Sequence, residues 1–378
     1  MRFSRRLPSG QHENRLSALL AEKRRAGIPI LDLTESNPTH AGIVYPEGFL
    51  AALGDKRALL YEPEPFGLPA ARQCIAGEYG VPFDRVIMTA STSEAYSWIF
   101  KLLCDPGDQM LVPRPSYPLF EYLARLESVE VKHYGLFHDH GWFIDFHTIE
   151  RALSERTKAI VLVNPNNPTG HFIRRHEWGQ LRQLCARHEI AVISDEVFGD
   201  YRIDPAPESV LTLRGEADFT LNGLSKLVGL PQMKLAWIVT RDAVPEMEII
   251  ADTYLSVGTP VQVALPELLK LRESVQGQIM SRLRANNPGG VEAGWYGILP
   301  VTDDEDTAYR LLRDADTLVQ PGYFYDFESS NRVVVSLLTE PETFREGLAR
   351  LVAANQPAPL DRTPLPPKGA QTSQPSNP

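Results

Sequence analysis

Short apolar runs recur along the first two thirds of the chain. RVIMT (85–89), QMLVP (109–113), KAIVLV (158–163), IAVIS (190–194) and DFTLN (218–222) each end abruptly in a small, polar or proline-containing loop. Runs apolar at every position, rather than at alternate ones, predict strands buried on both faces. Helical spacing flanks them. Leu16, Leu19 and Leu20 share one face of a helix predicted over 14–25, and a second helix is predicted over 66–80 after the turn EPEPFG. Strand, loop and helix then repeat through SEAYSWIFKLLC and LFEYLARL, so the pattern predicts an α/β domain with a mostly parallel sheet.

After residue 255 the texture changes. A helix is predicted near 262–284, then strands in GWYGILPVT, TLVQPGYFYDF and RVVVSLLTE, then the helix ETFREGLARLVAA, which suits a smaller α+β domain. The division expected is an N-terminal arm and helix (1–45) belonging partly to the smaller domain, a large domain (46–255), the smaller domain (256–355), and a disordered tail (356–378) rich in Pro, Ser and Gln. No internal repeat is evident.

Composition narrows the class. A chain of 378 residues that is 43% hydrophobic and 23% charged has enough apolar material for large cores without metal or disulfide staples. A net charge of −10 argues against nucleic acid as a partner. Cys74, Cys104 and Cys185 have neither zinc nor redox spacing and read as free thiols in a reducing compartment, so no metal is expected. The basic start lacks a secretory apolar core, and no run is long enough to cross a membrane. The expected location is the cytoplasm.

Chemistry-bearing residues fall just after the strands, where open α/β sheets bind ligands. TASTSEA (89–95) sets Ser91, Thr92 and Ser93 at a strand-to-helix turn, either a phosphate cradle or an ordinary helix cap. PRPSYP (113–118) holds Tyr117 in a proline-stiffened loop, as a platform for a flat ring or a packed surface aromatic. NPNNPTG (164–170) offers the amide of Asn167, in a composition that turns also favour. SDEVF (194–198) ends a strand with Asp195, a partner for a protonated ring nitrogen or a helix cap. NGLSKLVGLPQMKLAW (222–237) carries two lysines, Lys226 and Lys234, in an apolar stretch where lysine is seldom placed for packing. A lysine whose surroundings depress its pKa forms a Schiff base with an aldehyde cofactor. Pyridoxal 5'-phosphate needs that lysine, an acid for its pyridine nitrogen, a ring platform and a phosphate cradle.

In the order and approximate spacing of NPNNPTG, SDEVF and GLSKLVGLPQMKLAW, the chain resembles the class I/II aminotransferases, fold-type I pyridoxal-phosphate enzymes, over roughly residues 14–352. The resemblance implies an aminotransferase that moves an amino group between an amino acid and a 2-oxo acid by a ping-pong route. Lys226 would form the Schiff base and shift the proton. Asp195 would pair with the pyridine nitrogen, Asn167 would donate to the ring's phenolic oxygen, and Tyr117 would stack on the ring. Ser91, Thr92, Ser93 and Ser225 would hold the phosphate. Tyr61, in YEPEPFG, matches a tyrosine reaching the phosphate of a neighbouring subunit, so a homodimer is expected.

The chain also departs from that pattern. Lys234 stands where the family has a phosphate-binding arginine, keeping the charge without the bidentate fork. Gly223 stands where a phosphate-binding Ser or Thr is common. Phe198 replaces a tyrosine that donates to the phenolic oxygen, a loss that should make the Schiff-base nitrogen more basic. Val334 occupies the position of the arginine that grips the substrate α-carboxylate. Arg332 lies on the same strand face, about 6–7 Å away, and is the candidate replacement, with Asn37 and Arg114 as weaker ones. The chain is also short near 286–291. These departures keep two alternatives open: a lyase, decarboxylase or cyclase using the same cofactor, and a non-catalytic protein that binds it.

Overall fold

The computed structural model describes residues 3–7 and 14–355. The tail expected at 356–378 lies outside the described residues. Helix α1 (Arg15–Arg25) starts at Asn14, whose side chain accepts from the Ser17 N–H at 2.7 Å. Strand β1 (Leu31–Asp32) follows, then α2 (Pro69–Tyr79), which opens with proline at its first position and closes on Gly80 in the left-handed region (φ 63°).

The apolar runs are the strands of one sheet. In chain order come β2 (Val86–Thr89), α3 (Thr92–Leu103), β3 (Gln109–Arg114), α4 (Phe120–Leu126), β4 (Glu130–His138), β5 (Trp142–Ile144), α5 (Phe146–Ala152), β6 (Thr157–Val163), α6 (Arg175–His188), β7 (Ala191–Asp195), β8 (Phe219–Gly223), α7 (Leu224–Leu227) and β9 (Ala236–Thr240). They form an eight-stranded sheet in the order β2-β9-β8-β7-β6-β3-β4-β5. The pairings from β4 through β3, β6 and β7 to β8 are parallel, while β9 and β5 pair antiparallel with their neighbours. Alternate residues of each central strand explain the unbroken apolar runs. Val112, Val161 and Ile193 face the layer containing Tyr96 and Ile99 of α3. Leu111, Ile160 and Val192 face the layer containing Leu181 and Leu184 of α6. Both faces are covered, so these strands are predominantly apolar, and their polar members, Ser194, Asp195, Thr220 and Asn222 among them, are buried.

Beyond β9 come α8 (Met247–Tyr254), α9 (Thr259–Leu269) and α10 (Arg272–Asn286). The single helix predicted near 262–284 is thus two, broken at Lys270 and Leu271. Val261, Leu265 and Leu268 on one and Val275, Ile279 and Leu283 on the other are all buried, so a continuous apolar period conceals the break. Next are β10 (Tyr296–Pro300), α11 (Asp304–Ala315), β11 (Thr317–Leu318), β12 (Gln320–Pro321), β13 (Arg332–Ser336) and α12 (Pro341–Ala354). Strands β10, β13 and β12 form an antiparallel sheet, and β11 pairs in parallel with β1. The strand predicted in TLVQPGYFYDF is instead two short strands and a 3-10 turn over Gly322–Tyr325. Gly322 passes so close to the Arg332 carbonyl that a Cβ there would meet it at 2.6 Å, and the Asp304 carboxylate accepts from the Tyr323 N–H at 2.9 Å. Both contacts turn the chain out of the sheet, and neither is visible in a hydrophobic period.

Candidate active site

The loops at the carboxyl ends of β2, β3, β6, β7 and β8 meet around one cavity. Its lining includes Thr92, Ser93, Tyr117, Asn167, Asp195, Phe198, Ser225 and Lys226. At its helical end, the Ser91 hydroxyl accepts from the Glu94 N–H at 3.2 Å, and the Glu94 carboxylate reaches back to the Ala90 N–H at 2.6 Å. The Ser91 cap satisfies the Glu94 N–H at the helix start. It leaves the first-turn N–H groups of Thr92 and Ser93, which have no intrahelical acceptor, beside the cavity. Ser91 itself is spent as the cap and does not line it.

Asp195 closes β7 with its carboxylate buried. One oxygen accepts from the Val197 N–H at 3.2 Å and the other from the Tyr96 hydroxyl at 2.9 Å. No cation among the described residues lies within ion-pairing distance. Burial pushes its pKa up to about 6, against the two hydrogen bonds. Lys226, one turn into the segment after β8, is half-buried, and its Nζ has no hydrogen-bond acceptor among the described residues. Two rings face it, with Nζ 4.6 Å from the centre of Trp295 and 5.4 Å from that of Phe198. Burial lowers its pKa to about 8, opposed by the charge of Asp195. Asn167 is buried with its side-chain oxygen unpaired. Such an atom is costly unless a ligand completes it, and a half-turn of the amide presents its NH2 to an acceptor instead. Tyr117 is 42% exposed at the mouth, edge-on to Phe120.

Among the lining residues that the sequence reading did not single out are two tyrosines, Tyr96 and Tyr296. Tyr96 lies four residues after Thr92 on α3, so helical spacing could have found it. Tyr296 enters from β10, 70 residues after Lys226, and no local pattern points to it. Gly223 lines the cavity as well. A Cβ there would meet the Ala236 Cβ at 2.8 Å and the Leu235 carbonyl at 3.0 Å, so the approach of β9 excludes the Ser or Thr expected at this position.

The remaining candidates lie elsewhere. Lys234 is exposed, in a left-handed conformation (φ 50°), and is not among the lining residues. Tyr61 is 80% exposed beside a separate groove. Asn37 lines a second, more open cavity that also touches Lys226. Arg332 sits at the start of β13 with its guanidinium 5.9 Å from the Trp142 ring, outside both cavities. Arg114 donates to the Asp326 carbonyl at 2.8 Å. Val334 is fully buried among Tyr325, Phe327 and Tyr296, so an apolar cluster occupies the place of the expected arginine.

The cavity matches the needs of pyridoxal phosphate: an amine with a depressed pKa, a buried acid lacking a cation, an unpaired amide, and a helix start rich in hydroxyls. Residues 28–286 match the family described as aminotransferase class I and II. The chain belongs to that family. It is a pyridoxal-phosphate-dependent aminotransferase, an α/β protein of fold type I. Nicotianamine aminotransferase 1 of Oryza sativa subsp. japonica is 26% identical over 376 residues, covering 86% of this chain and 75% of the relative. Alanine aminotransferase of Mycobacterium tuberculosis is 28% identical, covering 75% and 67%. Among solved structures, an aminotransferase from Escherichia coli superposes with a TM-score of 0.81 at 21% identity, over 94% of this chain and 99% of that one. At that identity the likeness speaks for the fold. The different substrates in the relatives' names leave this aminotransferase's own amino acid open.

Proposed function

We propose that Lys226 is the residue through which this aminotransferase holds its cofactor and shuttles the proton. The observation carrying the reading is that Lys226, Asp195 and Asn167, from three different strand ends, line one cavity with complementary needs. Bound pyridoxal phosphate supplies an aldehyde for attachment and an electron sink for the bond broken at the substrate Cα. Asp195, kept from charging by burial, ionises once a cationic ring nitrogen faces it, and Tyr96 orients it. Asn167 would offer its amide to a polar substituent of the ring, and Tyr117 at the mouth would offer it an aromatic surface. Thr92, Ser93 and Ser225 hold the phosphate. Lys226 would attach the cofactor and, when unattached, would serve as the base and acid that moves the substrate Cα proton, the chemistry that transfer of an amino group to a 2-oxo acid requires.

The reading extends to assembly and location. Leu59, Leu60 and Tyr61 are consecutive, exposed and largely apolar, which supports a homodimer in which a second copy covers them. The three cysteines are free, which supports a reducing, cytoplasmic setting. Among the described residues no helix is long and apolar enough to cross a membrane.

The test is the visible absorbance of the purified protein during additions of single amino acids, followed by a 2-oxo acid. Loss of the yellow band with the substrate, and its return with the oxo acid, is the expected cycle. Lys226→Ala should bind the cofactor without attaching it and lose turnover. Attachment surviving in that variant would refute the assignment.

A further inference from the structure

The short connection between α10 and β10 is strapped to the large sheet's loops. The Glu292 carboxylate grips the Arg174 guanidinium, with one contact of 2.8 Å. The Glu292 carbonyl accepts from the N–H groups of Ile203 (2.8 Å) and Asp204 (2.9 Å), and the Gly294 N–H donates to the Tyr201 carbonyl at 2.9 Å. The Ala293 carbonyl lies where a Cβ on Gly170 would meet it at 2.6 Å. The next residue is Trp295. It is fully buried, edge-on to Phe198 at 5.4 Å and to Tyr201 at 5.0 Å, with its third neighbour the Lys226 amine at 4.6 Å. Tyr201 also fixes the lysine's backbone, its hydroxyl donating to the Lys226 carbonyl at 2.5 Å.

We propose that Trp295, seconded by Phe198, is a positioning residue for Lys226: its ring face holds the ammonium and keeps the unattached amine at the reaction site. The proposal rests on Lys226 being the reactive lysine. A lysine released from the cofactor swings on a flexible four-carbon stem. A charged head in this pocket lacks an acceptor, and a ring face within about 6 Å supplies the missing attraction. The attraction acts on the charged amine, so the ring grips the lysine once it has taken a proton. Other charged or titratable groups around the amine are Asp195 on β7, Tyr96 on α3, Tyr117 after β3, Tyr296 on β10, and Asp32 and Glu35, which line the second cavity with Lys226. None forms an ion pair with Nζ within 4.0 Å among the described residues.

The test titrates the amine directly. The full chain, stripped of cofactor, is labelled with trace acetic anhydride across pH 6–10, and the Lys226 peptide is quantified by mass spectrometry. Trp295→Leu keeps the site apolar but removes the ring, whereas Trp295→Phe keeps a ring. The expected result is a fall in the proton affinity of Lys226 of roughly three- to thirtyfold in the Leu variant, with most of it restored in the Phe variant. In the loaded enzyme the pH profile of kcat, which reports the complex in which the amine is unattached, should move in the same direction. An unchanged or increased affinity in Trp295→Leu, or equal falls in both variants, overturns the proposal. If Trp295→Leu does not fold, Phe198→Leu against Phe198→Tyr decides it, with a smaller fall expected in the Leu variant alone. Borohydride reduction of the loaded enzyme shows separately which lysine attaches the cofactor. A different lysine there refutes the assignment of Lys226 without altering the amine titration.

Discussion

Asp195 and Lys226 depart from their ordinary pKa values in ways that carry opposite consequences for stability. The Asp195 carboxyl titrates near 3.8 when free and at about 6 in the fold. The folded chain therefore holds that proton more tightly. Its contribution to stability is complete below pH about 4 and is lost as pH rises through about 6. In the cofactor-free protein, Asp195→Asn escapes that loss. Its stability relative to wild type should shift in its favour by roughly 3 kcal/mol between pH 4 and pH 7, as measured by urea unfolding. A constant difference across that range would contradict the buried, unpaired carboxylate. Lys226 runs the other way, from 10.5 to about 8, so the unfolded chain binds more protons between those values and stability rises with pH there. Attachment needs the neutral amine. The rate at which added pyridoxal phosphate attaches, followed by stopped-flow absorbance, should climb through pH about 8 rather than above 10.

At the scale of elements, the site depends on strands and straps that approach closely. Gly223 ends β8 against Ala236 of β9, with space for hydrogen but not for a methyl group. Gly223→Ser, which restores the side chain expected from the family pattern, should lower stability by about 1–3 kcal/mol. Adding Ala236→Gly should recover part of the loss. A Gly223→Ser protein as stable as wild type in chemical denaturation, with tighter cofactor, would show that β9 yields. The Arg174–Glu292 pair joins the start of α6 to the strap before β10, with the Arg174 side chain 9% exposed. Removing one partner strands a largely buried charge, so Arg174→Ala should cost about 3–5 kcal/mol. Replacing both partners with apolar residues should cost less than that single change, and urea unfolding of the two proteins provides the comparison.

At the scale of the molecule, the exposed run Leu59–Leu60–Tyr61 ends at Tyr61, which lines a groove with Ser256, whose hydroxyl donates to Glu94 beside the helix start of the candidate cavity. A second copy seated there would lie against both that groove and the phosphate end of the site. Leu60→Glu alters only an exposed side chain, 59% accessible, and should leave the subunit folded. Sedimentation velocity is expected to show a dimer for wild type and a monomer for the variant, with weaker cofactor binding in the monomer. A monomeric wild type would remove the basis for this assembly.

The central strands of the large sheet were legible because burial on both faces makes them predominantly apolar, and that one-dimensional pattern survives without any coordinates; β4, with polar and exposed positions, lacks it. Lys226, Asp195, Asn167 and Tyr117 were legible for a related reason: polar residues directly after such runs must sit at strand ends. Tyr296 and Trp295 were not, because they enter from a different sheet through a strap whose course is set by backbone bonds to Tyr201 and Ile203. The turn at Gly322–Tyr325 and the break at Lys270–Leu271 were hidden for the same reason, since tertiary contacts and not periodicity place them. The sequence by itself determined the fold class and the family, which follow from local pattern and order, and singled out the candidate side chains at the strand ends. Tertiary structure alone decided that Val334 is sealed in an aromatic cluster, that Gly223 has no room for a hydroxyl, and that two rings face the lysine, because each depends on which distant segment arrives within a few ångströms.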